Sequence, residues 1–225
     1  KVDRYLGGMD ERGRWDVLIL LEFSAARGPL ALSGVRNTGH LDIAQPYAHG
    51  RRAGALVFHN RLGVKALEFC SLCRSFAADF SWGGWKIRLV GGHADARGDR
   101  RLFQQSIDDI EFIVEHTQRD HIVILVAATQ QALGPQQALE NSGILCGYVM
   151  GHWDWAGECF LRLLYAYCVH PLHTFVPGFD LRHTCVSSGH NEPEQLDYMA
   201  TTAPRRCVIN AKRTESSATS SDHLP

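Results

Sequence analysis

The sequence predicts an α/β protein, a three-layer sandwich with a mostly parallel central sheet. Short apolar runs of strand length recur along the 225 residues, and stretches with the apolar spacing of helices lie between several of them. Buried strands that alternate with amphipathic helices typically form a parallel sheet covered by helices on both faces. With 45% hydrophobic residues and a net charge of -1, the chain has the composition of a folded protein rather than a disordered one.

The predicted strands are nearly continuous apolar segments, as expected for strands that are buried on both faces. A Gly-Gly pair at residues 91–92 follows the third segment and predicts its end. Residues 37–54 are polar and rich in turn-forming residues, so a loop is predicted there. The strands are predicted at residues 15–22, 55–59, 86–90, 121–128 and 144–150.

Three segments carry apolar residues at spacings of three and four, which is typical of amphipathic helices. The first of them, residues 65–80, is followed by Trp82 and a second Gly-Gly pair. In the second, Ser106 is the predicted N-cap, and Asp108 lies in the first turn, where it favours the positive end of the helix dipole. The helices are predicted at residues 65–80, 106–116 and 158–168.

Composition also bounds the domain organisation and the partners. We expect one domain, residues 1–213, and a flexible Ser/Thr-rich tail, residues 214–225. No apolar run approaches the ~18 residues of a membrane span, and no basic stripe predicts a nucleic-acid partner. Seven cysteines, several of them inside apolar segments, favour a reducing compartment, so a cytoplasmic location is expected. The oligomeric state is left open.

Twelve histidines are the unusual feature of the composition. In parallel sheets, ligands bind beyond the carboxyl ends of the strands, so the loops after the predicted strands are the places to look. Three of these loops contain a histidine, namely His59, His93 and His152. We therefore expect acid-base or loop-orienting histidines at one edge of the sheet.

The segment Gly151–Gly157 (GHWDWAG) joins a predicted strand to a predicted helix and places Asp154 between small residues. It resembles the nucleophile elbow of the α/β-hydrolase family, in its dehalogenase and epoxide-hydrolase branches. Residues 55–63 are similar to the loop that forms the oxyanion hole of that family. Residues 87–93 are similar to the strand and turn that follow, and residues 189–194 to its late Gly-His segment.

The resemblance implies a hydrolase that acts on an ester, an epoxide or a halide-like small molecule, without a cofactor. Asp154 would be the nucleophile, His190 would activate water, and Asp180 would orient His190. Should residues 126–132 be the elbow instead, Thr129 would stand at the nucleophile position. The resemblance assigns the oxyanion and loop positions to His59, Asn60, Gly92 and His93.

Two alternatives stay open. The segment Thr38–Asp42 resembles the His-x-Asp strand end of zinc aminopeptidases, which implies a zinc-dependent metallohydrolase. The second alternative is a catalytically inactive relative that only binds its ligand, because elbow glycines and paired carboxylates are missing. The candidate zinc ligands are His40, Asp42, His59, His93 and His183.

Overall fold

The computed structural model describes ten parts of the chain, within which strands outnumber helices. These parts are residues 17–23, 34–37, 41–45, 53–69, 75–94, 99–129, 155–172, 185–186, 193–194 and 197–204.

A first sheet is formed by the early part of the chain. Its four strands lie in the order β1-β4-β3-β2, and every neighbouring pair is antiparallel. A short 3-10 turn, Asn60–Leu62, follows the last strand. The strands are β1 (Val17–Phe23), β2 (Gly34–Asn37), β3 (Leu41–Gln45) and β4 (Ala53–His59).

A second, six-stranded sheet has the order β5-β6-β7-β8-β12-β9. Among its described pairs, only β7 and β8 are parallel, and helix α1 connects them. The remaining two strands, β10 and β11, form a separate antiparallel pair. The elements are β5 (Ala66–Phe69), β6 (Ser75–Trp82), β7 (Trp85–His93), α1 (Arg100–Glu115), β8 (His121–Ala128), α2 (Trp155–Ala166), β9 (His170–Pro171), β10 (Cys185–Val186), β11 (Pro193–Glu194) and β12 (Asp197–Thr201).

The second sheet is buried on both faces. One face packs on α1 and α2, where Val90 and Leu125 meet Ile110 and Phe160. The other face packs on the first sheet, and a second cluster joins Leu56, Phe58, Phe76, Phe80 and Leu89. The layers are therefore sheet, sheet and helices, and burial of this apolar area on both sides is the main stabilising term.

This architecture contradicts the predicted mostly parallel central sheet. The predicted order of strands and helices was wrong at residues 65–80, which form β5 and β6 instead of a helix. Because the second sheet is covered on both faces, Phe76, Ala77 and Ala78 are all buried, and such a run also satisfies helical spacing. Two antiparallel strands therefore replace one crossover helix.

The strands at residues 55–59, 86–90 and 121–128 are confirmed as parts of β4, β7 and β8, and the first predicted strand overlaps β1. The loop predicted for residues 37–54 was wrong, because β3 lies there and β4 begins at Ala53. The strand predicted at residues 144–150 lies outside the described residues, as does the predicted tail. The single-domain boundary stays a prediction.

Helix α1 begins about two turns earlier than predicted. Its N-cap is Asp99, whose side chain accepts a hydrogen bond from the Arg101 backbone N–H at 2.8 Å. The predicted cap, Ser106, lies inside the helix and donates its hydroxyl to the Leu102 carbonyl oxygen. The helix predicted at residues 158–168 is confirmed in α2. Neither described helix has the length and apolar character needed to cross a membrane.

Candidate active site at the strand ends

Three neighbouring strands of the second sheet bring one residue each into a common row. His93, the last residue of β7, pairs with Ala128, the last residue of β8. Asp197, the first residue of β12, pairs with the same Ala128 from the other side. We call His93, Ala128 and Asp197 the strand-end row.

All three side chains of the row belong to the same face of the sheet, because residues in register on neighbouring strands point the same way. The residues next to them in sequence settle which face it is. Ala127 and Tyr198 belong to the cluster under the helices, so Ala128 and Asp197 point away from the helices. The row therefore faces the side on which the first sheet lies.

The spacing of the row leaves room between its two ionisable groups. Two strand spacings separate the Cα atoms of His93 and Asp197, about 10 Å in all. Only the methyl group of Ala128 stands between them. The His93 side chain is 1% exposed, and Asp197 is partly exposed, so the carboxylate lies nearer to solvent than the imidazole.

Backbone packing fixes the position of His93. The Ala94 N–H donates to the Ala128 carbonyl oxygen at 2.8 Å and extends the ladder one residue beyond the row. Thr129, the next residue of the neighbouring chain segment, is fully buried. The end of β7 is therefore held on a rigid element, which is what precise placement of a reacting group requires.

The two glycines before His93 do not end the strand as predicted. A Cβ on Gly91 would lie 2.7 Å from two ring atoms of Phe76, and one on Gly92 would lie 2.8 Å from Cγ1 of Ile110. Both positions need glycine because a ring covers one face and helix α1 touches the other. The Gly-Gly pair therefore allows close packing on both faces of β7.

His59 lies in the first sheet, at the end of β4, where it pairs with Leu41. The Lys65 N–H, six residues further on, donates to the Asp79 carbonyl oxygen. Arg88 pairs with Asp79 and precedes His93 by five residues, about 17 Å along the strand. Lys65 therefore lies beside the middle of β6, and the assignment of the oxyanion and loop positions stays a prediction.

Most of the other predicted site residues lie outside the described residues. This holds for Asp154, Asp180, His190, His40 and His183, together with His152. Asp42 and Asn60 are described as backbone positions, in β3 and in the 3-10 turn. Within the described part of the chain, no group of three or more His, Cys, Asp or Glu side chains is placed to hold a metal ion. The zinc hypothesis gains no support there.

A second ionic cluster lies on β5, β6 and β7. The Arg88 guanidinium, which is 9% exposed, donates to both carboxylate oxygens of Asp79, at 2.9 and 3.1 Å, and also to Glu68. These partners are all on strands that pair with one another. The cluster therefore joins three strands, and we assign it a structural role.

No protein-family model matches the chain, and no curated sequence is significantly similar to it. Solved structures do match. D. rerio TDP2 complexed with a single-strand DNA product is 13% identical, covers 89% of this chain and 78% of its own, and has a TM-score of 0.58. The endonuclease domain of TRAS1, a telomere-specific non-LTR retrotransposon, is 14% identical over 97% of this chain and 87% of its own, with a TM-score of 0.58.

A third structure, an endonuclease/exonuclease/phosphatase family protein from Leptotrichia buccalis C-1013-b, is 14% identical, covers 88% of this chain and 80% of its own, and has a TM-score of 0.57. At this level of identity, the likeness shows the fold alone. The chain shares the fold of these proteins.

These neighbours correct several expectations. The resemblance to α/β-hydrolases is contradicted, and with it the nucleophile elbow and the predicted hydrolysis of small-molecule esters, epoxides or halides. An elbow needs a sheet of parallel strands, whereas one parallel pair is present among the described strands. The exclusion of nucleic acid as a partner is contradicted too, because neighbours with this fold carry DNA or are named as an endonuclease.

The sequence predicts only one of the two ionisable residues of the strand-end row. His93 was singled out because it follows an apolar strand. Asp197 was not among the predicted site residues. The sequence gives no polar/apolar alternation that would mark this strand, because Met199, which is exposed, is as apolar as its buried neighbours Tyr198 and Ala200.

Proposed function

We propose that the chain hydrolyses phosphodiester bonds of nucleic acid at the strand-end row. The observation that carries the proposal is the register of three strand ends, which puts an imidazole and a carboxylate on one face with only Ala128 between them. The fold supports the choice of substrate, because neighbours with this fold are named as an endonuclease or hold a single-strand DNA product.

The chemistry divides between the two ionisable groups. A phosphodiester held between His93 and Asp197 is attacked by water at phosphorus, and a new P–O bond forms as the bond to the leaving oxygen breaks. Asp197, the more exposed group, accepts the proton of the attacking water. The His93 imidazole N–H stabilises the developing negative charge, and His93 gives a proton to the leaving oxygen. The products are a phosphate monoester and a hydroxyl group.

Phosphodiester hydrolysis is often assisted by divalent metal ions, which prefer several oxygen ligands. The strand-end row supplies one carboxylate and one imidazole, and Ala128 supplies no ligand. Since the described residues include no cluster of three ligand side chains, they do not fit a metal site. No step of the proposed reaction is therefore assigned to a metal ion.

We also propose that the protein is located in the cytoplasm. Cys168 is exposed and carries a free thiol, which a reducing compartment preserves. Fluorescence microscopy of the tagged full chain in cells checks this, and a signal confined to another compartment would contradict it.

Cleavage of a fluorescent 20-nucleotide single-stranded DNA by the whole chain tests the hydrolase, with bis(4-nitrophenyl) phosphate as a second substrate. We expect cleavage, and a loss of about 100-fold or more in kcat/KM for His93→Gln and for Asp197→Asn, the range of lost acid-base catalysis. The matched controls are His116→Gln and Asp108→Asn, both exposed on or next to α1, and they should keep full activity.

Two outcomes would overturn the hydrolase. One is DNA that is bound but left uncut by the unaltered chain. The other is cleavage that survives both strand-end substitutions, since the reaction would then take place elsewhere.

A further inference from the structure

A groove lies at the opposite end of the second sheet from the strand-end row. It has a volume of about 450 Å³, within the size range of small-ligand sites. We call it the hairpin groove, because the β6–β7 hairpin forms one side. Trp85 and His93 stand at the two ends of β7, eight residues or about 27 Å apart, so the groove is separate from the row. Its lining includes Trp85, Thr117, Arg119, Asp120, His121 and Tyr167.

The groove has an exposed aromatic wall. Trp85 is 56% exposed, and its cross-strand partner Trp82 is 59% exposed. Gly83 and Gly84 have φ values of +56° and +83°, the left-handed conformation that a tight two-residue hairpin turn requires. The turn therefore holds two large indole rings in water, although tryptophan is usually covered.

Trp85 belongs to the lining of the groove, whereas Trp82, its in-register partner in the hairpin, does not. A planar ligand can stack on the Trp85 ring from the groove side. The two tryptophans can therefore be compared directly, because they lie in the same hairpin with similar exposure and only Trp85 lines the groove.

Among the described residues that line the groove, Arg119 is a cation with no ion-pair partner. Asp120 accepts hydrogen bonds from Lys86 and from His121, and these bonds, the one from Lys86 first, lower the pKa of its carboxyl group. The charge of Asp120 is thereby compensated. Arg119 lies next to it, and within the described residues it makes no ion pair. Its guanidinium is available to an anion.

Two polar side chains of the groove lining, Tyr167 and Thr117, already donate hydrogen bonds within the protein. The Tyr167 hydroxyl donates to Glu111 at 3.2 Å, and burial and this carboxylate raise the pKa of Tyr167. Thr117 donates to the Ile113 carbonyl oxygen at 2.9 Å. The floor therefore offers little to a strongly polar ligand, and recognition falls to the ring of Trp85 and the charge of Arg119.

We propose that the hairpin groove is a second contact for single-stranded nucleic acid, in which a base stacks on Trp85 and a neighbouring phosphate pairs with Arg119. An aromatic face beside a cation binds single strands irrespective of sequence, because every base has a flat face and every linkage a negative charge. The identity of the polymer rests on the proposed function. A strand that contacts both sites must span about 27 Å.

Fluorescence anisotropy with a non-cleavable phosphorothioate 20-mer tests the stacking partner. Trp85→Ala should weaken binding of the 20-mer about 5- to 100-fold, and Trp85→Phe should restore most of the affinity. Trp82→Ala removes the same cross-strand pair without touching the groove, so it should leave the affinity unchanged. Turnover of bis(4-nitrophenyl) phosphate should be unchanged by Trp85→Ala, because that substrate does not reach the groove.

The salt dependence of the same affinity tests the phosphate contact. Arg119→Gln should make the slope of log K against log[salt] shallower by about 0.7, the value of one phosphate contact on a single strand. Lys65→Gln removes another exposed positive charge, one that is not part of the groove lining, and should leave the slope as it is.

Equal losses for Trp85→Ala and Trp82→Ala would overturn the proposal, because a weakened hairpin would then explain both. An unchanged affinity of Trp85→Ala for the 20-mer would also overturn the proposal. This holds even if Trp85→Ala no longer bound adenosine monophosphate, since the groove would then be a site for a free nucleotide. The proposed function fails on a different readout, namely cleavage that does not depend on His93 or Asp197.

Discussion

Small residues shape the candidate site as much as the ionisable ones. Gly91 lets the Phe76 ring lie over β7 two residues before His93, and Ala128 leaves the gap between His93 and Asp197. The position of His93 after an apolar strand could be read from the sequence. Its partner Asp197 could not, because the pairing joins two segments that lie far apart in the chain.

The close contact at Gly91 predicts a measurable loss of stability. Gly91→Ala should lower the free energy of unfolding by about 1–3 kcal/mol, because the buried Phe76 ring has no room to move aside. In a Phe76→Leu background the same substitution should cost less. Urea denaturation of the four proteins measures this, and equal costs in both backgrounds would contradict the contact.

At the scale of elements, the sequence predicts strands well where a single apolar run is bounded by polar residues, as at residues 121–128. It fails at residues 65–80, because a strand buried on both faces loses the strict alternation that separates strand from helix. A local signal was present: the Gly-Gly pair between Trp82 and Trp85 is typical of a two-residue hairpin turn. The turn, rather than the apolar spacing, identifies β6.

Mutation can test whether the N-cap of α1 is Asp99, as the structure has it, or Ser106, as the sequence predicts. Asp99→Ala should lower the free energy of unfolding by about 0.5–2 kcal/mol, because the Arg101 N–H loses its acceptor. Asp99→Asn should keep most of the stability, and Asp108→Ala, an exposed change in the same helix, serves as the control. Thermal unfolding followed by circular dichroism gives the comparison. A loss for Asp99→Ala no larger than that for Asp108→Ala would contradict the cap at Asp99.

At the scale of the whole molecule, the order of the strands decides which residues meet. β12 inserts between β8 and β9, and this places Asp197 beside Ala128 although 68 residues, including all of α2, lie between them in sequence. Apolar periodicity identifies elements but not their neighbours, so the sequence supports a parallel sheet as readily as this mixed one. The sheet–sheet core and the strand-end row both follow from that order.

In the proposed reaction, His93 and Asp197 act together on one phosphodiester. A double-mutant cycle in kcat/KM, with the unaltered chain, His93→Gln, Asp197→Asn and the double variant, measures this directly on a single-stranded DNA substrate. We expect each single substitution to cost about 100-fold or more and the double variant to be within about tenfold of either single one. Losses that multiply, or a single variant with full activity, would contradict a shared site.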